Sequence, residues 1–226
     1  MKTDADGVAT ILWDTVGKSM NVMTLEGWVE LEALIDQALA QPNIVDLFTQ
    51  VCLRLSAAGV PLSRSRLMWP TLHPLFQSET VVWQRGAETS FDQFRHQDDV
   101  SQEWLRSPMH HLLEQNLGTF RRNLDGPNKL IDFEVLQDLL DEGHTDYLMI
   151  ATGFNENQVK KSRMDAGILV TWSSDRPGGF SDDDLAALKK IQRRFAAACK
   201  NVVQNSIATN ITETYLGRHA GRQVLD

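Results

Sequence analysis

The chain has 226 residues, 42% of them apolar and 23% charged, with a formal net charge of −8. That length can bury the core of one domain with helical extensions, and the composition is that of an ordinary globular protein. No stretch approaches the roughly 18 uninterrupted apolar residues of a membrane span. Residues 1–7 lack the basic flank and apolar run of a secretory signal, and the acidic balance repels a phosphate backbone. A cytoplasmic chain is expected, with neither a membrane nor a nucleic acid as partner. Its two cysteines, Cys52 and Cys199, lie in apolar helical stretches and read as buried thiols.

Residues 1–24 show no sustained period, although Ile11, Leu12, Trp13 and Val16 are too apolar for a solvated tail. Over 25–39, Trp28, Leu31, Leu34, Ile35 and Ala38 recur at spacings of three and four and predict an amphipathic helix. Pro42 breaks it. A second helix follows over 44–58, with Val45, Phe48, Val51, Cys52 and Leu55 on one face and Gly59 as its stop. After Pro61 the period changes, and two β-rich runs at 64–72 and 79–85 read as strands joined by a turn at 72–75. Residues 87–118 are irregular and polar, with short helical pieces at 100–106 and 109–116; any ligand lid is expected here.

A strand at 119–124, a turn at 125–128 and a short helix at 133–142 come next, with Gly143 closing the helix. The runs 147–154 and 166–173 are almost continuously apolar, as central strands of a covered sheet are. Ser181 then caps a last helix whose first turn carries Asp182, Asp183 and Asp184, favourable at the positive end of the helix dipole. Leu185, Leu188, Ile191, Phe195, Ala198 and Val202 form its stripe, and Ile207 and Ile211 extend it. At about 35–40 Å this helix exceeds what a small domain covers. Its far half is therefore expected to pair with a second copy in a parallel coiled coil, so that Leu188→Asp or Phe195→Asp would give monomers. The rival reading packs the helix along its own sheet.

Motif searches for phosphate loops, dinucleotide fingerprints, zinc signatures and nucleophile elbows are negative. His110 and His111 beside Met109 are the best metal or haem ligands in the chain, yet nothing stands at zinc-finger spacing. No metal site is assigned. Asp98-Asp99, Asp138/Asp141/Glu142 and the Asp182 cluster have the residue types for cation binding or acid–base work, but the last two suit a solvated helix face and a helix N-terminus. Catalytic residues are accordingly set at none. Trp69, Trp83, Trp104 and Trp172 suit either a ligand pocket or the core.

Four groups of residues carry a more specific likeness: Thr71-Leu72-His73-Pro74 with Val82-Trp83-Gln84-Arg85-Gly86; Asp132-Phe133-Glu134-Val135-Leu136; Thr145-Asp146-Tyr147; and Ser174-Asp175-Arg176-Pro177-Gly178-Gly179-Phe180-Ser181. In order and spacing they resemble the N-terminal GAF-like regulatory region of bacterial class III adenylate/guanylate cyclases, over about residues 40–226. Thr214-Tyr215-Leu216-Gly217-Arg218 and the residues up to Leu225 resemble the linker that leads to the cyclase domain.

The resemblance implies an α+β fold with a central antiparallel sheet, N-terminal helices and a long C-terminal helix in a dimeric coiled coil. It implies an N-terminal segment at 1–40, a GAF-like sensor domain at 41–180 and a signalling helix with linker at 181–226. It further implies a homodimer that takes an unknown small molecule and controls cyclic AMP synthesis by a cyclase domain in cis. ATP and Mg are expected only in that catalytic domain, and no cofactor in this segment. Ligand contacts are expected from Trp83, Arg85, Trp104, His110, Tyr147 and Trp172. The dimer and signalling helix is expected to use Leu185, Leu188, Ile191, Phe195, Val202, Tyr215 and Leu216. The alternatives are a stand-alone binding or scaffolding module, a haem or metal sensor using His110 and His111, and a small enzyme working through Asp98, Asp99, His110 and His111.

Overall fold

The structure, a computed structural model, describes residues 2–3, 9–10, 43–71, 76–95, 101–154 and 167–216. The helix expected over 25–39 and the turn at 72–75 lie outside these residues. Two short strands, β1 (Lys2–Thr3) and β2 (Ala9–Thr10), pair antiparallel near the N-terminus. Helix α1 (Ile44–Ala57) is capped by Asn43, whose side chain accepts from the Val45 N–H at 3.0 Å. It ends at Gly59, whose φ of +93° is open to glycine at little cost.

Six strands form one antiparallel sheet: β3 (Leu62–Pro70), β4 (Phe76–Gln84), β5 (Ser90–Arg95), β6 (Thr119–Asn123), β7 (Asp146–Gly153) and β8 (Gly167–Ser174). Their spatial order is β5-β4-β3-β8-β7-β6. The nearly continuous apolar runs of β7 and β8 lie inside the sheet and are covered on both faces, which is why they lack alternation. Strand β5 was not expected from the sequence. It is an exposed edge strand whose Phe91 and Phe94 stand three apart, so no period of two marks it.

Between strands run the short helices α2 (Gln102–Leu105), α3 (Pro108–Glu114) and α4 (Glu134–Asp141). Ser101 and Ser107 cap the first two, accepting from the Trp104 and His110 N–H groups at 3.1 Å each. The last helix, α5 (Asp182–Leu216), has 35 residues, or about 52 Å at 1.5 Å per residue. Its start is a reciprocal cap: Ser181 Oγ accepts from the Asp184 N–H, and Asp184 Oδ2 accepts from the Ser181 N–H at 2.8 Å. Phe180 and Leu185, flanking that cap, both join the core beneath, as a hydrophobic staple does.

The sheet has two unlike faces. On one, α1 and α5 pack against Leu67, Trp69, Val81, Trp83, Leu148, Val170 and Trp172. Phe48 of α1 lies between Trp172 and Phe195, with ring centroids 6.2 and 5.8 Å away. Leu188, Ile191 and Phe195 are buried here, and Leu185 and Val202 pack against the same core. This corrects the expected role of the stripe. Its first five turns face the chain's own sheet and are closed to a partner, so charges at Leu188 or Phe195 would break the fold before any dimer. A stripe of period 3.6 marks a buried face without saying whose surface buries it.

On the other face, α3 and α4 close a smaller core over β6, β7 and β8, made of Leu112, Phe120, Leu136, Leu139, Tyr147, Met149 and Leu169. Cys52 and Cys199 are buried free thiols on the helix face, and burial pushes both above the ordinary thiol range. Among the described residues, no helix is long and apolar enough to cross a membrane.

Candidate functional site

Alternation along each strand decides which side chains can meet. Leu67, Trp69, Trp83 and Trp172 share the helix face by register, so Trp83 and Trp172 belong to the core under α1 and α5. This corrects their assignment as ligand contacts: Trp172 has 0% exposure and no route to solvent. Tyr147 points the other way, over the second core. The three residues therefore cannot line one pocket. Sequence alone gave no register, and without it the two faces of a strand are interchangeable.

Arg85 follows β4 at the end of the sheet. Its Nη1 and Nη2 donate to Asp175 at 2.9 and 3.0 Å, and its Nε donates to the Leu62 carbonyl at 2.9 Å. It ties the turn after β4 to the loop after β8, so its fork is already occupied. Trp104 and His110 do meet, edge to face with centroids 5.9 Å apart, at the junction of α2 and α3. His111 is wedged between Phe120 and Phe133, at 5.9 and 5.7 Å. Among the described residues no three His, Cys, Asp or Glu side chains converge as a metal set. Asp98 and Asp99 lie outside the described residues, as do the side chains of Tyr215 and Leu216 in the last turn of α5.

The face opposite α1 and α5 can be read row by row from the strand register. One row runs Ser90, Val82, Arg66, Thr171, Met149, Phe120. The next, toward the C-terminal end of β3, runs Asp92, Thr80, Met68, Leu169, Ala151, and the row on the other side runs Gln84, Arg64, Ser173, Tyr147, Arg122. Apolar residues dominate the β7 and β6 end, under α3 and α4. Polar and basic residues dominate the β3, β4 and β5 half. Sequence reasoning missed Arg66 and Thr80, whose only signal was the Arg-x-Arg alternation of Arg64 and Arg66 within a strand.

A second polar cluster holds the root of α5. Asp146, at the start of β7, has 0% exposure and accepts from Arg121 Nε at 3.1 Å, Arg121 Nη2 at 2.6 Å and the Phe180 N–H at 2.8 Å. Arg121 Nη2 also donates to the Phe180 carbonyl at 2.9 Å, and the carboxylate holds its guanidinium above the usual range. Next to it, the Thr145 hydroxyl donates to the Arg176 carbonyl at 2.6 Å, and Arg176 Nε donates to the Gly179 carbonyl at 3.0 Å and Nη2 to Asp184. Gly179 has φ +73°, and a Cβ there would stand 2.7 Å from Asp146 Cβ, so glycine is required twice over. The Thr145-Asp146-Tyr147 and Ser174 to Ser181 motifs, about thirty residues apart in sequence, thus meet in one latch.

At the same end of the sheet, Ser63 Oγ hydrogen-bonds the buried His144 at Nδ1, 2.8 Å away, and donates to the Ser173 carbonyl at 3.0 Å. Burial lowers the His144 pKa, while Glu142, 3.4 Å from Nε2, opposes that shift. On the helix face a groove of about 320 Å³ opens beside Ile44, Val45, Trp69, Phe91 and Val202. Its one charged group, Glu79, is satisfied by Trp69 Nε1 and Gln93 Nε2 at 2.9 Å each.

No protein-family model and no curated protein matches the chain. Solved structures do. The phycoerythrobilin-bound GAF domain of a cyanobacterial phytochrome is similar at 12% identity and a TM-score of 0.51, over 80% of this chain and 98% of that one. The GAF domain of a two-component sensor histidine kinase from Bacillus halodurans aligns at 16% identity and a TM-score of 0.40, over 81% and 99%. A GAF sensor protein from Burkholderia vietnamiensis aligns at 9% and 0.45, over 84% and 99%. The phytochrome domain carries the comparison: the fold is GAF-like, an α+β domain built on a six-stranded antiparallel sheet.

Proposed function

We propose that this chain is a regulatory sensor module in which a small molecule held on the polar half of the sheet biases α5, and that α5 passes the bias to a class III adenylate cyclase domain in cis. The observation that carries this reading is the latch at Asp146, which joins the start of β7, β6 and Phe180, just before the cap of α5, through one buried carboxylate. A shift of the sheet at β7 has to move or break those bonds, and so reaches the root of the helix. Contacts between α5 and the core run to Ile207. The remainder leads to Thr214, Tyr215 and Leu216, where a second copy would pair and form the homodimer. A ligand acts on such a device only by its difference in affinity for the two helix arrangements.

Two lines support a cyclase as the output: the ordered likeness of residues 71–86, 132–147, 174–181 and 214–225 to cyclase regulatory regions, and the meeting of two of those motifs at the latch. ATP and Mg belong to the catalytic domain, where two-metal chemistry would yield cyclic AMP and diphosphate. The test is to assay the full gene product that carries this chain for conversion of ATP to cyclic AMP, with and without Asp146→Asn. The reading expects activity in both, with regulation lost in the variant. No cyclic AMP, or regulation unchanged in the variant, overturns it.

A further inference from the structure

Three arginines project from the strands onto the face opposite α1 and α5. Arg64 pairs with Glu142 at 3.2 Å, and Arg122 pairs with Asp132 through Nε at 3.0 Å and Nη2 at 2.7 Å. Arg66, half-buried in the row next to the one that Arg64 and Arg122 share, makes no hydrogen bond or ion pair. Burial and the neighbouring Arg64 charge both press its guanidinium toward the neutral form, while Asp92 and Tyr147 act on it from a distance without pairing. Around it are two hydroxyls that make no hydrogen bond either. Thr80, diagonal to Arg66 in the register and 1% exposed, has an Oγ1 with no partner. Tyr147, buried and near enough to feel the Arg66 charge, also makes no hydrogen bond.

A hydroxyl withdrawn from water without a partner, as at Thr80, costs stability, and a fold that needed only a core would place an apolar group there and no half-buried arginine beside it. One missing group answers all three: an oxyanion. Guanidinium offers a planar fork matched to carboxylate or phosphate, and hydroxyls complete the set as neutral donors. The adjoining row, with buried Met68 and Leu169, gives an apolar floor for the rest of a small molecule.

We infer that Arg66, with Thr80 and Tyr147, binds the carboxylate or phosphate end of a small organic ligand on this face of the sheet. This rests on the sensor reading and names the chemistry of its signal. The test is thermal unfolding and calorimetric titration of the protein with inorganic phosphate and, separately, with acetate, at constant ionic strength against chloride. Arg66→Met, Arg66→Lys and Thr80→Val are run in parallel.

Saturable stabilisation of the wild type by one anion is expected, with phosphate or acetate identifying the class. Its apparent affinity should fall by at least about tenfold in Arg66→Met and by a smaller factor in Arg66→Lys, which keeps the charge and loses the fork. Should Arg66→Met fail to fold, weakening in both Arg66→Lys and Thr80→Val decides for the site. No response of the wild type to either anion, or equal responses in wild type and variants, overturns it. The sensor reading fails separately: anion binding that depends on Arg66 but leaves cyclic AMP output unchanged defeats that reading and leaves this site standing.

Discussion

The two faces of one sheet obey different rules. On the helix face, Leu67, Trp69, Val81, Trp83, Val170 and Trp172 pack in one apolar core with α1 and α5, and the carboxylates of Glu79 and Asp146 are bonded at both oxygens, although Ser65 Oγ and Trp172 Nε1 lack partners. On the opposite face the β6 and β7 end is packed just as tightly by α3 and α4, but the β3 and β4 half keeps an unpaired arginine and an orphaned hydroxyl. Core packing accounts for most of the first arrangement. It argues against the second, and groups retained against stability are where function is sought.

That contrast can be broken by substitution. Leu188→Asp places a charge in the helix-face core and should cost more than about 4 kcal/mol, abolishing the cooperative urea transition. A folded monomer instead would mean that the stripe serves a partner after all. Trp172→Ala should cost about 3–5 kcal/mol in the same measurement. Asp146→Asn breaks the buried ion pair and should cost about 3 kcal/mol, because Arg121 loses its charged partner and one of its acceptor oxygens. Gly179→Ala, strained and crowding Asp146, should cost about 2 kcal/mol. Values below about 0.5 kcal/mol for either would dissolve the latch.

The smallest expected effect is one of pH. The folded-state pKa of His144 lies below its ordinary 6.5, so the unfolded chain takes up the proton first. Its contribution is therefore complete above pH 6.5 and is lost as pH falls through the lowered value. His144→Asn should flatten the stability profile just below pH 6.5; an unchanged slope would assign the effect elsewhere.

Helix limits and strand positions were largely legible in the sequence because they are local. Gly59, Ser181 with its acids, and the apolar runs of β7 and β8 set them within a residue or two. What failed was non-local. Trp83 and Trp172 looked like pocket residues until register put them under α1 and α5. Leu188 and Phe195 looked like a dimer seam because a helix facing its own sheet has the same period as one facing a copy. Asp146 stood out only as part of a motif and Arg66 only by its alternation with Arg64; neither showed its role, since partnership and its lack are properties of the assembled sheet. Tyr147 lies over the second core, and Trp104 and His110 stack edge to face at the junction of α2 and α3.

The latch is the link on which transmission depends, and amide hydrogen exchange reads it directly. Comparing wild type with Asp146→Asn, the account predicts a large rise in exchange at Phe180 and through the first turns of α5, with β3 and β4 amides nearly as protected as before. A uniform rise across the sheet, or unchanged protection at Phe180, would show that Asp146 does not couple the sheet to the helix.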